Sequence, residues 1–240
     1  MQSLTTLPAN LQANLQGLHE RITKAARGAG RDPSSVRLLA VSKTFPAGVV
    51  AEAARAGQRA FGENYVQEAV DKIDALAGSA YQPLEWHFIG PIQSNKTRTI
   101  AERFDWVQSV DRLKVAERLA DQRPTSMPPL NVLLQVNVSG EASKSGAAPD
   151  ELSELATAVE RLPRLRLRGL MAIPAPHVDV TQQRLAFART NTLFRQLREE
   201  GLEVDVLSMG MSDDLEAAIA EGSTMVRIGT AIFGTRPPRQ

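Results

Sequence analysis

Lys43 is the residue of this sequence best placed for covalent chemistry. It directly follows an apolar run, residues 37–42 (RLLAVS), so its ammonium emerges at the end of a strand. Partial desolvation there lowers a lysine pKa and exposes a nucleophilic amine, which condenses with a carbonyl to a Schiff base. A lone Val-Ser-Lys triplet equally suits a lysine reaching from a strand end to solvent. The C-terminal part of the chain adds weight to the first reading. Ser208-Met209-Gly210-Met211-Ser212-Asp213 and Arg227-Ile228-Gly229-Thr230 combine hydroxyl donors with Gly210 and Gly229, which let the backbone approach an anion near a helix start. Each feature has a plainer alternative: Ser212 capping a helix over residues 213–221, or Gly229 making a tight turn. Taken together they favour a phosphate site. Arg227, within a strand, should face inward, where a guanidinium requires a partner: a carboxylate such as Glu63, or a ligand's ring nitrogen.

A rival anion site lies at Gly90-Pro91-Ile92-Gln93-Ser94-Asn95-Lys96-Thr97, which departs from the nucleotide phosphate loop G-x-x-x-x-G-K-[ST] only at Asn95. Asn hinders close backbone approach at that position, Pro91 removes an N–H donor, and no strand-end Asp stands ready for magnesium. His87 ends one apolar run, while His19 and His177 lack ligand-spaced companions, so no metal is expected. A Gly-x-Ser-x-Gly elbow is also missing.

These residues need a frame that brings residue 43 beside residues 208–230. Leu11, Leu15, Leu18 and Ile22 mark one face of a leading helix that stops near Gly28. Strand-length apolar runs then alternate with helical segments. The strands are predicted at residues 37–42, 60–62, 86–89, 106–110, 131–138, 165–173, 204–208 and 225–228; the helices at 46–56, 66–76, 96–103, 113–120, 151–162, 183–198 and 213–221. Continuous apolar runs, rather than alternating ones, indicate a parallel sheet buried on both faces. Eight of them favour a closed (β/α)8 TIM-type barrel over an open doubly wound sheet, and closure sets the last strand beside the first.

The 240 residues suit one α/β barrel domain, with a helix at about 9–28 and the barrel at about 37–234. A net charge of +1, from 28 basic and 27 acidic residues, creates no field for nucleic acid or an anionic membrane. The absence of cysteine excludes disulfides and a thiolate nucleophile. No secretion signal or membrane span is read at the N-terminus or beyond, so a cytoplasmic protein is expected.

From end to end the chain resembles the YggS/PROSC family of pyridoxal phosphate homeostasis proteins. The motifs that carry the likeness are Leu39-Ala40-Val41-Ser42-Lys43, Phe61-Gly62-Glu63-Asn64-Tyr65, Trp86-His87-Phe88-Ile89-Gly90 and Gln93-Ser94-Asn95-Lys96. Further ones are Gln135-Val136-Asn137 with Glu141 and Lys144, Gly169-Leu170-Met171, and residues 208–213 and 226–234. The resemblance implies an α/β barrel like the alanine racemase N-terminal domain (fold type III), with pyridoxal 5′-phosphate as a Schiff base on Lys43. It also implies Arg227 against the pyridine nitrogen, phosphate contacts from Ser208, Gly229 and Thr230, and Asn64, His87 and Met171 around the cofactor.

Alanine racemases carry a further β-domain that supplies a second acid/base, and this sequence ends at Gln240 with Tyr65 and Tyr81 as its tyrosines. The expected role is therefore a cofactor carrier or buffer that affects amino-acid and keto-acid pools, with apo PLP-dependent enzymes as recipients and no catalytic activity; the alternative is a small PLP-dependent racemase or lyase. Lys144, on the loop after the fifth strand, is a candidate second cofactor site. No coiled-coil seam is present, and a monomer is expected.

Overall fold

The computed structural model describes residues 10–81, 83–140, 145–176 and 178–235. Glu141 and Lys144, and with Lys144 the expected second cofactor site, lie outside them. Among the described residues eight strands follow one another: β1 (Arg37–Val41), β2 (Ala60–Glu63), β3 (Glu85–Phe88), β4 (Trp106–Val110), β5 (Leu130–Gln135), β6 (Leu165–Met171), β7 (Val206–Ser208) and β8 (Met225–Ile228). All pair in parallel in chain order and the sheet closes on itself. The closing register sets Leu39 opposite Arg227 and Ala40 opposite Ile228, so the segment before Lys43 lies beside the arginine strand.

Closure splits the apolar positions of each strand between two cores. Leu39, Ala60, Trp106, Leu133, Met171, Val206 and Met225 fill the interior. Their neighbours Leu38, Ala40, Phe61, Trp86, Phe88 and Val107 point outward and meet the helices. Because both faces are covered, the strands read as unbroken apolar runs, and each fully buried large side chain contributes about 1.5–3 kcal/mol.

The helices are α1 (Leu11–Gly28), α2 (Ala47–Arg55), α3 (Val66–Leu76), α4 (Thr97–Arg103), α5 (Leu113–Gln122), α6 (Leu152–Glu160), α7 (Val180–Glu199), α8 (Leu215–Ala220) and α9 (Thr230–Phe233). Helix α1 buries Leu11, Leu15, Leu18 and Ile22, the face its spacing predicts, and packs against α8 and α9.

Two elements differ from their sequence reading for local reasons. The helix expected over residues 213–221 is shortened to α8, because the Asp214 carboxylate accepts from the Met211 N–H at 2.6 Å and holds residues 211–214 as a turn. Ser212 therefore caps no helix; its carbonyl accepts from Arg21 at 3.2 Å. The strand expected to run to residue 138 ends at Gln135, and Val136 makes only an isolated bridge to Ala147.

Candidate functional site

A cavity of about 440 Å³ opens at the C-terminal ends of the strands. Five of the eight residues expected around a ligand line it: Lys43, Asn64, Arg227, Gly229 and Thr230. Gly229 and Thr230 sit where β8 passes into the single turn of α9, whose first N–H groups have no carbonyl partner within the helix. Met211, Ser212 and Asp213 line it from the segment read as part of the anion site, and Arg21 and Ile173 also line it and were not anticipated. Arg21 comes from α1, far from any strand end in sequence, and reaches the cavity while paired with Glu216 of α8 at 2.9 and 3.0 Å. A groove of similar size between α1 and α2, about 500 Å³, is lined by Gln12, Gln16, Glu52 and Arg55 and offers no nucleophile.

His87, Met171 and Ser208 are not brought to the cavity wall. All three are fully buried. Met171 belongs to the apolar filling of the barrel. The His87 ring stacks on Trp106, with centroids 5.1 Å apart. Ser208 turns its hydroxyl toward Arg227 and Gln108. Gly210, read as an anion cradle, is not among the lining residues: its φ of +97° and the 2.5 Å that a Cβ would leave to Ala218 show a glycine demanded by packing on α8.

Arg227 is buried and, among the described residues, has no carboxylate in contact. Its Nη1 donates to the Ser208 carbonyl at 2.7 Å and hydroxyl at 2.8 Å, and its Nη2 donates to the Ala172 carbonyl at 2.9 Å. The pairing with Glu63 weighed from sequence does not occur, because Glu63 lies on the opposite face of the barrel wall. Burial pulls the Arg227 pKa down to about 10, against the more distant pull of Asp214. Among the described residues three of the five guanidinium protons are thereby engaged, which leaves two for a ligand.

Behind Lys43, in the layer between strands and helices, a charged network fixes the loop. The Ser42 hydroxyl donates to Glu63 Oε1 at 2.6 Å. Lys72 of α3 donates to Glu63 Oε1 at 2.8 Å, to Glu68 Oε1 at 2.6 Å and to the Ser42 carbonyl at 2.8 Å. Thr44 donates its N–H to Glu68 Oε1 at 2.5 Å and holds a φ of +70°, strained for a β-branched residue. Both chain neighbours of Lys43 are thus tied down, so the position of its Cα does not depend on a ligand. Glu63 pays for this role in desolvation: burial raises its pKa despite Lys72, and its Oε2 is buried without a partner among the described residues.

Asn64 Oδ1 is likewise buried without a hydrogen-bond partner and belongs to a residue that lines the cavity. An unsatisfied acceptor in such a place fits a ligand that brings a donor. The segment resembling a nucleotide phosphate loop is already filled by protein. Gly90 packs so closely on Asn64 that a Cβ would lie 2.3 Å from its carbonyl oxygen. The Thr97 hydroxyl donates to the Ser94 carbonyl, and the Gly90 carbonyl accepts from Ser109. Among the described residues no three His, Asp or Glu side chains form a metal cluster.

The sequence profile of the family described as alanine racemase, N-terminal domain, matches residues 13–237. The pyridoxal phosphate homeostasis protein of Pseudomonas aeruginosa is 62% identical over 228 residues, covering 95% of this chain and 96% of that one. The protein of the same name from Escherichia coli K12 is 58% identical over 223 residues, covering 93% and 95%. Among solved structures, PipY of Synechococcus elongatus PCC7942 with PLP bound superposes with a TM-score of 0.82 at 36% identity, covering 93% of this chain and all of that one. Alanine racemase from Corynebacterium glutamicum, at 20% identity and a TM-score of 0.65, shares the fold over 62% of its length. With a closed barrel, a lysine-bearing cavity and likeness over nearly the whole of both chains, this protein belongs to the alanine racemase N-terminal domain family, among its pyridoxal phosphate homeostasis proteins.

Proposed function

We propose that the chain binds pyridoxal 5′-phosphate, covalently attached at Lys43, and keeps it available to apo PLP-dependent enzymes as a carrier or buffer rather than as a catalyst. The observation that carries this reading is the cavity itself. It brings a lysine at a strand end, a buried arginine with uncommitted donors, an orphaned amide oxygen and the first turn of α9 around one volume. Bound there, the cofactor supplies an electrophilic carbonyl. Lys43 would provide the amine, Arg227 a cation for the ring nitrogen, Gly229 and Thr230 donors for the phosphate, and Asn64 Oδ1 an acceptor for a ligand hydroxyl. A charged arginine there would keep the ring nitrogen unprotonated and weaken the ring as an electron sink. His87, Met171 and Ser208 act from beneath the cavity.

A racemase needs a second acid/base across the ligand from Lys43. Tyr81 is not available for it: its ring and hydroxyl are engaged by Arg55 at the end of α2 away from the Lys43 loop. The decisive experiment combines the visible spectrum, borohydride reduction and peptide mapping of wild type and Lys43→Ala. Wild type should yield a reduced adduct on Lys43, and the variant should yield none. A protein that stays colourless with added pyridoxal phosphate overturns the proposal, and sustained turnover of an amino acid would make it an enzyme.

A further inference from the structure

The barrel interior of this protein is not wholly apolar: a line of polar side chains runs through it from its lower mouth to Arg227. Arg37 Nη2 donates to Glu85 Oε1 at 2.7 Å. His87 Nε2 lies 2.7 Å from the same oxygen. Gln108 Nε2 lies 2.9 Å from His87 Nδ1 and 3.2 Å from Met225 Sδ. The Ser208 hydroxyl donates to Gln108 Oε1 at 2.7 Å and accepts from Arg227 Nη1 at 2.8 Å. Gln108, His87 and Ser208 are fully buried.

The proton positions follow from the two ends. Arg227 can only donate, so Ser208 accepts from it and passes its own proton to the amide oxygen of Gln108. Gln108 then presents its NH2 to His87 Nδ1 and Met225 Sδ, both acceptors. Turning the amide over would set its oxygen against the sulfur. With Nδ1 accepting, the histidine proton sits on Nε2 and points at Glu85. Every link therefore donates in one direction, from the buried cation at the cavity to a carboxylate at the far mouth, an arrangement in which successive hydrogen bonds polarise one another.

We infer that Gln108, His87 and Ser208 form a one-directional hydrogen-bond chain that positions Arg227 for the ligand, with His87 as a neutral Nε2–H link and not a cofactor contact. Gln108 is the pivot, because all three of its polar contacts lie within the chain or on Met225. Burial of His87 lowers its pKa and supports the neutral form, although Glu85 and Asp105 pull upward and Arg37 downward. The guanidinium needs such a support: among the described residues it meets no carboxylate, and the Ser208 hydroxyl is the one side-chain acceptor among its three bonds there. The inference rests on pyridoxal phosphate occupying the cavity only for its consequence on binding.

Two measurements test it. In the cofactor-free protein labelled with ¹⁵N-histidine, the signal absent from His87→Gln should show a neutral ring with its proton on Nε2 at pH 7. An imidazolium, or a proton on Nδ1, overturns the chain. Then Gln108→Leu should bind pyridoxal phosphate about tenfold more weakly while the reduced adduct still maps to Lys43. Ser208→Ala gives the same readout should Gln108→Leu fail to fold. Wild-type affinity in a folded variant overturns the positioning role. If wild type itself takes up no pyridoxal phosphate, the functional proposal falls, and the histidine spectrum still decides whether the chain exists.

Discussion

Two buried polar networks flank the cavity, one inside the barrel beneath Arg227 and one outside its wall behind Lys43, and they are built on opposite principles. The inner one joins neutral groups end to end, with charges only at its two ends. The outer one packs a lysine between two carboxylates, with Lys72 and Glu63 almost wholly removed from water, and leaves Glu63 Oε2 without a partner among the described residues. A dipolar chain aims a side chain at little electrostatic expense. A cluster of full charges anchors backbone more forcefully but leaves an uncompensated remainder. In the proposed function the residue that reacts, Lys43, stands on the charged anchor, and Arg227, which only faces the ligand, stands on the dipolar one.

If this contrast is right, the largest effect comes from removing the central cation of the outer network. Lys72→Met should destabilise the protein by about 3–5 kcal/mol, because Glu63 is then left buried without an ion pair. Urea unfolding at pH 7 measures it. A loss below about 1 kcal/mol, the level of an exposed pair, would make the two networks equivalent and break the comparison. Adding Glu63→Gln to Lys72→Met should restore part of the loss, since the double variant buries no charge at either position.

The next effect sharpens the contrast through pH. Burial raises the Glu63 pKa in the folded protein above its ordinary value of 4.5. The unfolded chain then releases this proton first. Stability attributable to Glu63 is complete below about pH 4.5 and is lost as pH rises through the folded-state pKa, by at most about 1.4 kcal/mol per pH unit. The stability difference between wild type and Glu63→Gln should thus move against wild type over that interval and level off above it. A difference that stays constant with pH would show Glu63 to be ordinarily ionised.

The sequence made the frame of this site legible and left its supports hidden. Apolar runs bounded by helical segments locate all eight strands because both faces are buried, and their number favours the closure that the structure shows, although an open doubly wound sheet has the same local pattern. Lys43, Arg227, Gly229 and Thr230 are readable because each lies at or near a strand's C-terminal end, whereas Asn64 is readable only through the family's motifs. Gln108 and Lys72 are not readable: one is a glutamine inside a strand, the other a lysine inside a helix, and neither type at such a place signals burial. Arg21 escapes because its helix precedes the barrel and meets the cavity only through tertiary packing against α8. The inward register of His87 and Ser208 is implied by strand alternation, but their depth below the rim depends on stagger, which sequence does not state.

The smallest effect should run opposite to that of Glu63. Burial lowers the His87 pKa below 6.5, so on acidification the unfolded chain takes up this proton before the folded one does. Stability is then lost as pH falls from about 6.5 toward the folded-state value, again by at most about 1.4 kcal/mol per pH unit. His87→Gln can accept from Gln108 and donate to Glu85 without titrating, so it should lie close to wild type at pH 7.5 and flatten the decline between pH 6.5 and 5. Its two neighbours in the chain would keep their partners, which separates loss of a proton site from loss of a link. An unchanged slope would mean that the buried His87 ring takes up its proton on acidification as readily as in the unfolded chain. Both networks would then hold buried ions, and their difference would reduce to which side of the barrel wall they occupy.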